Sequence, residues 1–190
     1  LQGAVLSPAD NTNLLDSAPA DTPSIIDFQT VLADETPAVS LIEPLVTERI
    51  PAGFGLDPMT DIQVLTPMQK GPVGAILLNE RLQAKLNGGA AHEVKRGNRT
   101  LRLGDKVMQL SNDYEKEVFN GDVGRVVALD PHERKLAVDF EGHVVPYEEN
   151  QLDDLTLAYA TSIHKSQGSE YPAVVIPVLT NHFVMLSRNL

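Results

Sequence analysis

The densest run of reactive side chains is Thr161-Ser162-Ile163-His164-Lys165-Ser166-Gln167-Gly168-Ser169-Glu170. Hydroxyls, imidazole and ammonium can all donate hydrogen bonds to phosphates. Gly168 lets a backbone approach a ligand closely. The carboxylate of Glu170 can accept from sugar hydroxyls. The apolar run Ala173–Leu179 follows at once. Open α/β sheets place their ligand loops at strand ends. The segment therefore reads as a phosphate or nucleotide site. A polar loop that merely joins two parts of a fold would have the same composition.

The elements that must position this run alternate in type. Residues 1–24 are rich in Ala, Asp, Asn, Ser and Pro and read as a linker or loose arm. Ser24–Ala33 is a strand-length apolar run. Thr36-Pro37 supplies an N-cap hydroxyl and a proline at the first helical position. Val39, Ile42, Val46 and Ile50 recur at helical spacing, predicting a helix over Thr36–Ile50 that Pro44 kinks or shortens. Pro51–Asp61 reads as a loop and Asp61–Thr66 as a buried strand. Pro72 opens a helix with Ala75, Leu78, Leu82 and Leu86 on one face, ended by Asn87-Gly88-Gly89.

Between Arg99 and Leu152 the pattern changes. Leu101–Leu103, Val107–Leu110, Val123–Leu129, Leu136–Phe140 and His143–Tyr147 are short apolar runs broken by turn residues. Such spacing predicts a small antiparallel β-barrel. After Leu155 the α/β pattern resumes. The expected architecture is α/β with a parallel sheet: a first part over 25–90, a barrel insert over 91–154 and a second part over 155–190.

The chain has 190 residues, a net charge of −11 and no cysteine. Disulfides and thiolate zinc sites are excluded, and a cytoplasmic setting is expected. No apolar run approaches the roughly 20 residues that span a bilayer, so no membrane partner is expected. The charge is uneven: residues 62–110 carry +5, while residues 1–50 carry −7 and residues 111–160 carry −8. A basic stretch inside an acidic protein is a candidate track for a phosphate backbone, although a solvated basic face gives the same counts. Tyr114 and Phe119 could stack on bases or fill the barrel core, and the core is the favoured reading. His92, His132 and His143 have no metal-ligand spacing, so no metal site is expected.

Ala158–Val174 resembles motif V of RecD/TraA-type superfamily 1 DNA helicases, nearly residue for residue. Val64-Leu65-Thr66-Pro67-Met68-Gln69-Lys70-Gly71-Pro72-Val73-Gly74, followed by Leu78-Asn79, resembles the motif IV region of the same family. Gly104-Asp105-Lys106-Val107-Met108-Gln109, Asn112-Asp113-Tyr114 and Phe119-Asn120-Gly121-Asp122-Val123-Gly124 resemble its inserted Src-homology-3-like subdomain. The similarity runs over roughly residues 50–190.

The resemblance implies a RecA-like second motor domain of the P-loop NTPase type. It assigns Gly168 and Glu170 to the ribose side of an ATP site. It assigns Thr66, Thr161, His164 and Ser166 to single-stranded DNA, with Gln69, Lys70 and Lys165 as further DNA candidates. Lys165 could equally form an ion pair, and Gln69 and Lys70 could be turn residues.

A GxxxxGK[ST] phosphate loop and an acidic magnesium pair are absent from the sequence. Both ATP and magnesium would serve a parent protein, with the first motor domain supplied in cis. The family's arginine finger would lie beyond Leu190, and Arg188 is not it. No catalytic residue is therefore assigned, and the chain alone is expected neither to hydrolyse ATP nor to unwind DNA. The parent would be an ATP-dependent 5′-to-3′ helicase, with nuclease partners if it belongs to an exodeoxyribonuclease V complex. The competing reading is a DNA- or protein-binding module, built on the barrel and basic stretch, without a motor.

Overall fold

The computed structural model describes residues 35–177. The expected arm over 1–24, the strand Ser24–Ala33 and the terminal segment with Arg188 lie outside the described residues.

Helix α1 (Glu35–Pro44) starts one residue before the expected Thr36 cap and runs into a π-turn over Leu45–Arg49. Helix α2 (Ile50–Phe54) continues it, four residues past the expected end. Pro44 has no N–H to donate to the preceding turn, so a local change of hydrogen-bond register is the expected response. The apolar stripe survives that change: Val39, Ile42, Val46 and Ile50 are all buried. Gly55 closes the helix at φ 68°, its N–H bonded to Pro51 O at 2.9 Å.

Strand β1 (Ile62–Thr66) is buried at four of its five residues. Helix α3 (Ala75–Leu86) buries Ala75, Leu78 and Leu82, the face its spacing predicts. A hairpin of β2 (Glu93–Arg96) and β3 (Arg99–Arg102) follows. Next come β4 (Lys106–Gln109), β5 (Val123–Asp130), β6 (Lys135–Phe140), β7 (His143–Tyr147), a 3₁₀ turn at Glu149–Asp154 and β8 (Leu155–Leu157). Strands β9 (Ala160–Ser162) and β10 (Ala173–Val175) complete the described chain.

The parallel sheet has the order β10-β1-β9, with both neighbours parallel to β1. The expected barrel is instead an open five-stranded antiparallel sheet, β7-β6-β5-β4-β8, and no pairing among the described strands closes it. A register shift at Val126/Ala128 marks a bulge in β5, which bends a sheet without sealing it. Strands β2 and β8 go beyond the apolar runs that the sequence shows. Leu155–Leu157 pairs with β4, so the antiparallel sheet extends past Leu155.

The two sheets meet around Asp105, whose side chain is fully buried. Its carboxylate accepts from Gln83 Nε2 at 2.6 Å, Asn87 Nδ2 at 2.7 Å, Arg102 N at 2.7 Å and Tyr159 OH at 2.9 Å. Burial still pushes this carboxyl above the usual carboxylate range, against the pull of those hydrogen bonds. Burial likewise raises the Tyr159 phenol, aided by the Asp105 charge. Next in sequence, the buried Lys106 ammonium donates to Ile62 O at 3.1 Å and lies 5.6 Å from the Tyr171 ring centroid. Burial brings its pKa down to about 8, opposed by the charges of Asp57 and Asp61.

Asp105→Ala takes an acceptor from four donors: Arg102 N and Tyr159 OH lose theirs, and Gln83 and Asn87 keep only Thr100 O and Leu103 O. It should cost about 3–5 kcal/mol in urea unfolding, and Asp105→Asn less. A loss below about 1 kcal/mol for Asp105→Ala would show that the hub does not hold the sheets together. Lys106 gives a pH test. Its folded pKa of about 8 lies below its usual 10.5, so between these values the unfolded chain holds more protons. Stability from this group therefore rises with pH across that window, by about 3 kcal/mol at most. Lys106→Met should flatten the rise between pH 8 and 10. Equal slopes in both proteins would contradict the burial of this charge.

Candidate nucleic-acid and nucleotide interface

Because β1 and β9 are parallel, their C-terminal ends share one edge of the sheet. The register sets Leu65 beside Thr161 and Thr66 beside Ser162. The loop 67–74 and the turn Ile163–Ser166 therefore leave the fold side by side.

The first loop is folded tightly on itself. Thr66 is fully buried; its Oγ1 donates to Val73 O at 2.8 Å and accepts from Met68 N at 3.3 Å. Ala75 N donates to Met68 O at 2.9 Å and Ile76 N to Gln69 O at 3.2 Å. Gly74 packs so closely that a Cβ there would stand 2.5 Å from Lys70 C, so only glycine fits. Thr66 thus shapes the loop from inside, and Gln69 and Lys70 stand exposed at its tip.

The second segment is held by its own hydroxyls. Thr161 and Ser166 are buried, and their oxygens lie 2.7 Å apart. Gln63 Nε2 adds a 3.4 Å bond to Thr161 Oγ1. Between these anchors His164 and Lys165 are exposed on the 3₁₀ turn. The four DNA candidates of this segment thus divide: Thr161 and Ser166 brace the turn, and His164 and Lys165 present charge and donors to solvent.

The chain then crosses from the end of β9 to the start of β10. Ser169 N donates to Ser166 O at 3.1 Å, and Gly168 takes φ 89°, a value side-chain-bearing residues rarely adopt. Among the described residues nothing lies within 4 Å of a Cβ built at Gly168, and Glu170 is exposed. The crossover therefore offers an open glycine and a free-standing carboxylate, a pairing suited to a sugar with vicinal hydroxyls.

Sequence reasoning missed the residues that hold these segments. Asn79 on α3 donates from Nδ2 to Ala160 O at 2.8 Å and accepts from Ala160 N at 2.9 Å. Gln63 Nε2 reaches Ala158 O at 3.1 Å and Val64 O at 3.2 Å. A buried polar residue within an apolar strand, and another on the apolar side of a helix, are the signals that could have found them.

The basic stretch does not form an open track. Arg96 Nη2 lies 2.6 Å from Asp153 and Arg99 Nη2 lies 3.1 Å from it. Arg99 also donates to Leu155 O. Arg102 pairs with Glu93 at 3.3 Å. The Arg96 guanidinium holds the Asp153 carboxyl below its usual range. These three guanidinium groups are paired within the molecule, two of them between the β2–β3 hairpin and the 3₁₀ turn before β8 and one across the hairpin itself.

Residues 78–140 match the ATP-dependent RecD-like DNA helicase SH3 domain, and residues 157–190 match the UvrD-like helicase C-terminal domain. Over 129 residues the chain is 45% identical to the ATP-dependent RecD2 DNA helicase of Deinococcus radiodurans, covering 68% of this chain and 18% of that protein. Over 167 residues it is 28% identical to the RecBCD enzyme subunit RecD of Mycobacterium tuberculosis, covering 83% of this chain and 28% of that one. The solved structure of Pif1 helicase from Bacteroides in complex with ADP-AlF3 and ssDNA matches with a TM-score of 0.47 at 21% identity, over 74% of this chain and 38% of that one. The chain spans less than a third of the length of these two curated relatives. Along the chain a match to the RecD-like helicase SH3 domain is followed by one to the UvrD-like helicase C-terminal domain, and the chain is similar in sequence to RecD2 and RecD helicases.

Proposed function

We propose that this chain is part of the second motor domain of an ATP-dependent DNA helicase, where it grips single-stranded DNA and contacts the ribose side of ATP. The observation that carries this reading is the shared edge of β1 and β9. It puts Gln69 and Lys70 on one loop beside His164 and Lys165 on the next, with the buried Thr66, Thr161 and Ser166 bracing both. Exposed donors on two rigid, adjacent loops suit a phosphate backbone.

ATP would meet the crossover after this turn. Glu170 would accept from the ribose hydroxyls, and Gly168 would keep the approach clear. The bound nucleotide would supply the free energy of phosphoryl transfer, with its phosphates held by the first motor domain. Magnesium would accompany the ATP phosphates held by the first motor domain. The parent would translocate 5′ to 3′ on single strands. Partner nuclease subunits, as in a RecBCD assembly, are a further proposal by analogy with the relatives' names.

Two measurements on the 190-residue chain test this. Anisotropy of a labelled oligodeoxythymidylate should show binding that weakens with salt. Lys165→Ala should lower the slope of log K against log salt by about 0.7, the value for one lost single-strand phosphate contact. An unchanged slope and affinity in His164→Ala/Lys165→Ala would sink the DNA assignment. The purified chain should also show no DNA-stimulated ATP hydrolysis, and robust turnover would overturn the division of the ATP site.

A further inference from the structure

The segment Asn112–Asp122, between β4 and β5, lifts two aromatic rings into solvent. Tyr114 is 75% exposed and Phe119 44% exposed, so neither fills the core as expected from sequence. Their ring centroids lie 5.9 Å apart at an interplanar angle of 74°, an edge-to-face pair.

The loop beneath them is rigid. Asp113 and Val118 exchange backbone hydrogen bonds at 2.8 and 3.1 Å, and Val118 is buried. Asn112 Oδ1 accepts from Asn120 N at 2.9 Å, and Asp122 Oδ2 accepts from Phe119 N at 2.8 Å. Lys116 reaches back to Pro146 O at 2.9 Å and Gln151 Oε1 at 2.8 Å, which ties the loop to the antiparallel sheet. The rings are therefore held out at little further ordering cost, as a binding platform requires.

The platform adjoins the proposed DNA edge. A Cβ built on Gly121 would stand 3.5 Å from Lys165 O, so the aromatic loop touches the turn that presents His164 and Lys165. Exposed Glu115 and Glu117 lie on the loop between Tyr114 and Phe119 and repel phosphate. A strand whose backbone follows the turn would thus offer its bases, not its phosphates, to the rings. Every base has a π-face, and only a single strand exposes it.

We propose that Tyr114 and Phe119 form a stacking platform for a base of the single strand that passes the His164–Lys165 turn. This rests on the single-strand reading given above. The test compares an oligodeoxythymidylate with the same oligonucleotide carrying abasic sites, each titrated against the full chain. The unsubstituted chain should bind the first about tenfold more tightly, the effect of one base stacked on an aromatic ring. Tyr114→Ala and Phe119→Leu should each remove most of that preference while leaving abasic affinity unchanged, and Tyr114→Phe should keep it. Tyr114 is too exposed for its truncation to threaten folding, and Phe119→Leu keeps apolar bulk. If the chain binds DNA but all variants keep the preference, the platform is overturned and the DNA edge stands. If the chain binds neither oligonucleotide, both proposals fall. Rings that engage only a protein partner would also leave the base preference unchanged, and that outcome overturns the platform in the same way.

Discussion

One buried carboxylate holds the two halves of this molecule in register. Asp105 receives Gln83 and Asn87 from α3, the backbone of Arg102 from the hairpin, and Tyr159 from the entry to β9. A bare carboxylate in an apolar interior would be prohibitive, and neutral donors on every side make it tolerable. The arrangement works only if all these elements arrive together. Lys106 then sends its ammonium to the first residue of β1 and over Tyr171. Adjacent residues of one chain segment thus clamp the parallel sheet at both the start of β1 and the approach to β9.

The loops at the far end of that sheet inherit this order. Strand β9 is an edge strand among the described residues, and its Ala160 has no backbone partner on its outer side. Asn79 supplies one, using its amide as a peptide group would, which blocks the edge and fixes the height of Thr161. Gln63 does the same work from inside, binding the carbonyls of Ala158 and Val64. Its amide orientation follows from those carbonyls, and Gln63 Oε1 is left without a hydrogen-bond partner among the described residues. An unpaired buried acceptor costs roughly 1–3 kcal/mol. The molecule tolerates that cost where it gains a rigid seat for the Thr161–Ser166 turn.

How far the sequence shows this depends on the range of the forces involved. Local rules served well. Helical spacing located α3, the turn residues separated β4 to β7, and the chemistry of residues 161–170 marked the segment that now lies at the sheet edge. Where a local rule met a competing one, it gave partial answers: Pro44 reads as a kink, but the buried stripe carries the helix through a π-turn to Phe54. Non-local features were not legible. Asp105 reads as an ordinary turn residue after Gly104, and its partners come from positions 83 to 159. Strand β8 is three residues long and is defined only by its pairing with β4. Barrel closure depends on whether edge strands meet, and no pattern in the strands themselves encodes that. The aromatic pair failed for a related reason, because composition favours burial and only the folded loop reveals that both rings point outward.

Charge gives the last step. A net charge of −11 argues against DNA as a partner, and the one basic stretch argues for it. The fold overturns the second inference. Arg96 and Arg99 are matched to Asp153 and hold the hairpin against the rest of the insert, while Arg102 pairs with Glu93 across the hairpin itself. The exposed donors at the sheet edge come from Lys70 and, far along the chain, from His164 and Lys165, which reach the same end of the sheet only when β1 and β9 pair. Screening confines each charge's influence to about 8–10 Å at physiological salt. At that range the potential at this edge is set by those few side chains. Net charge and charge runs are therefore weak guides here, because the surface that matters is assembled by strand register.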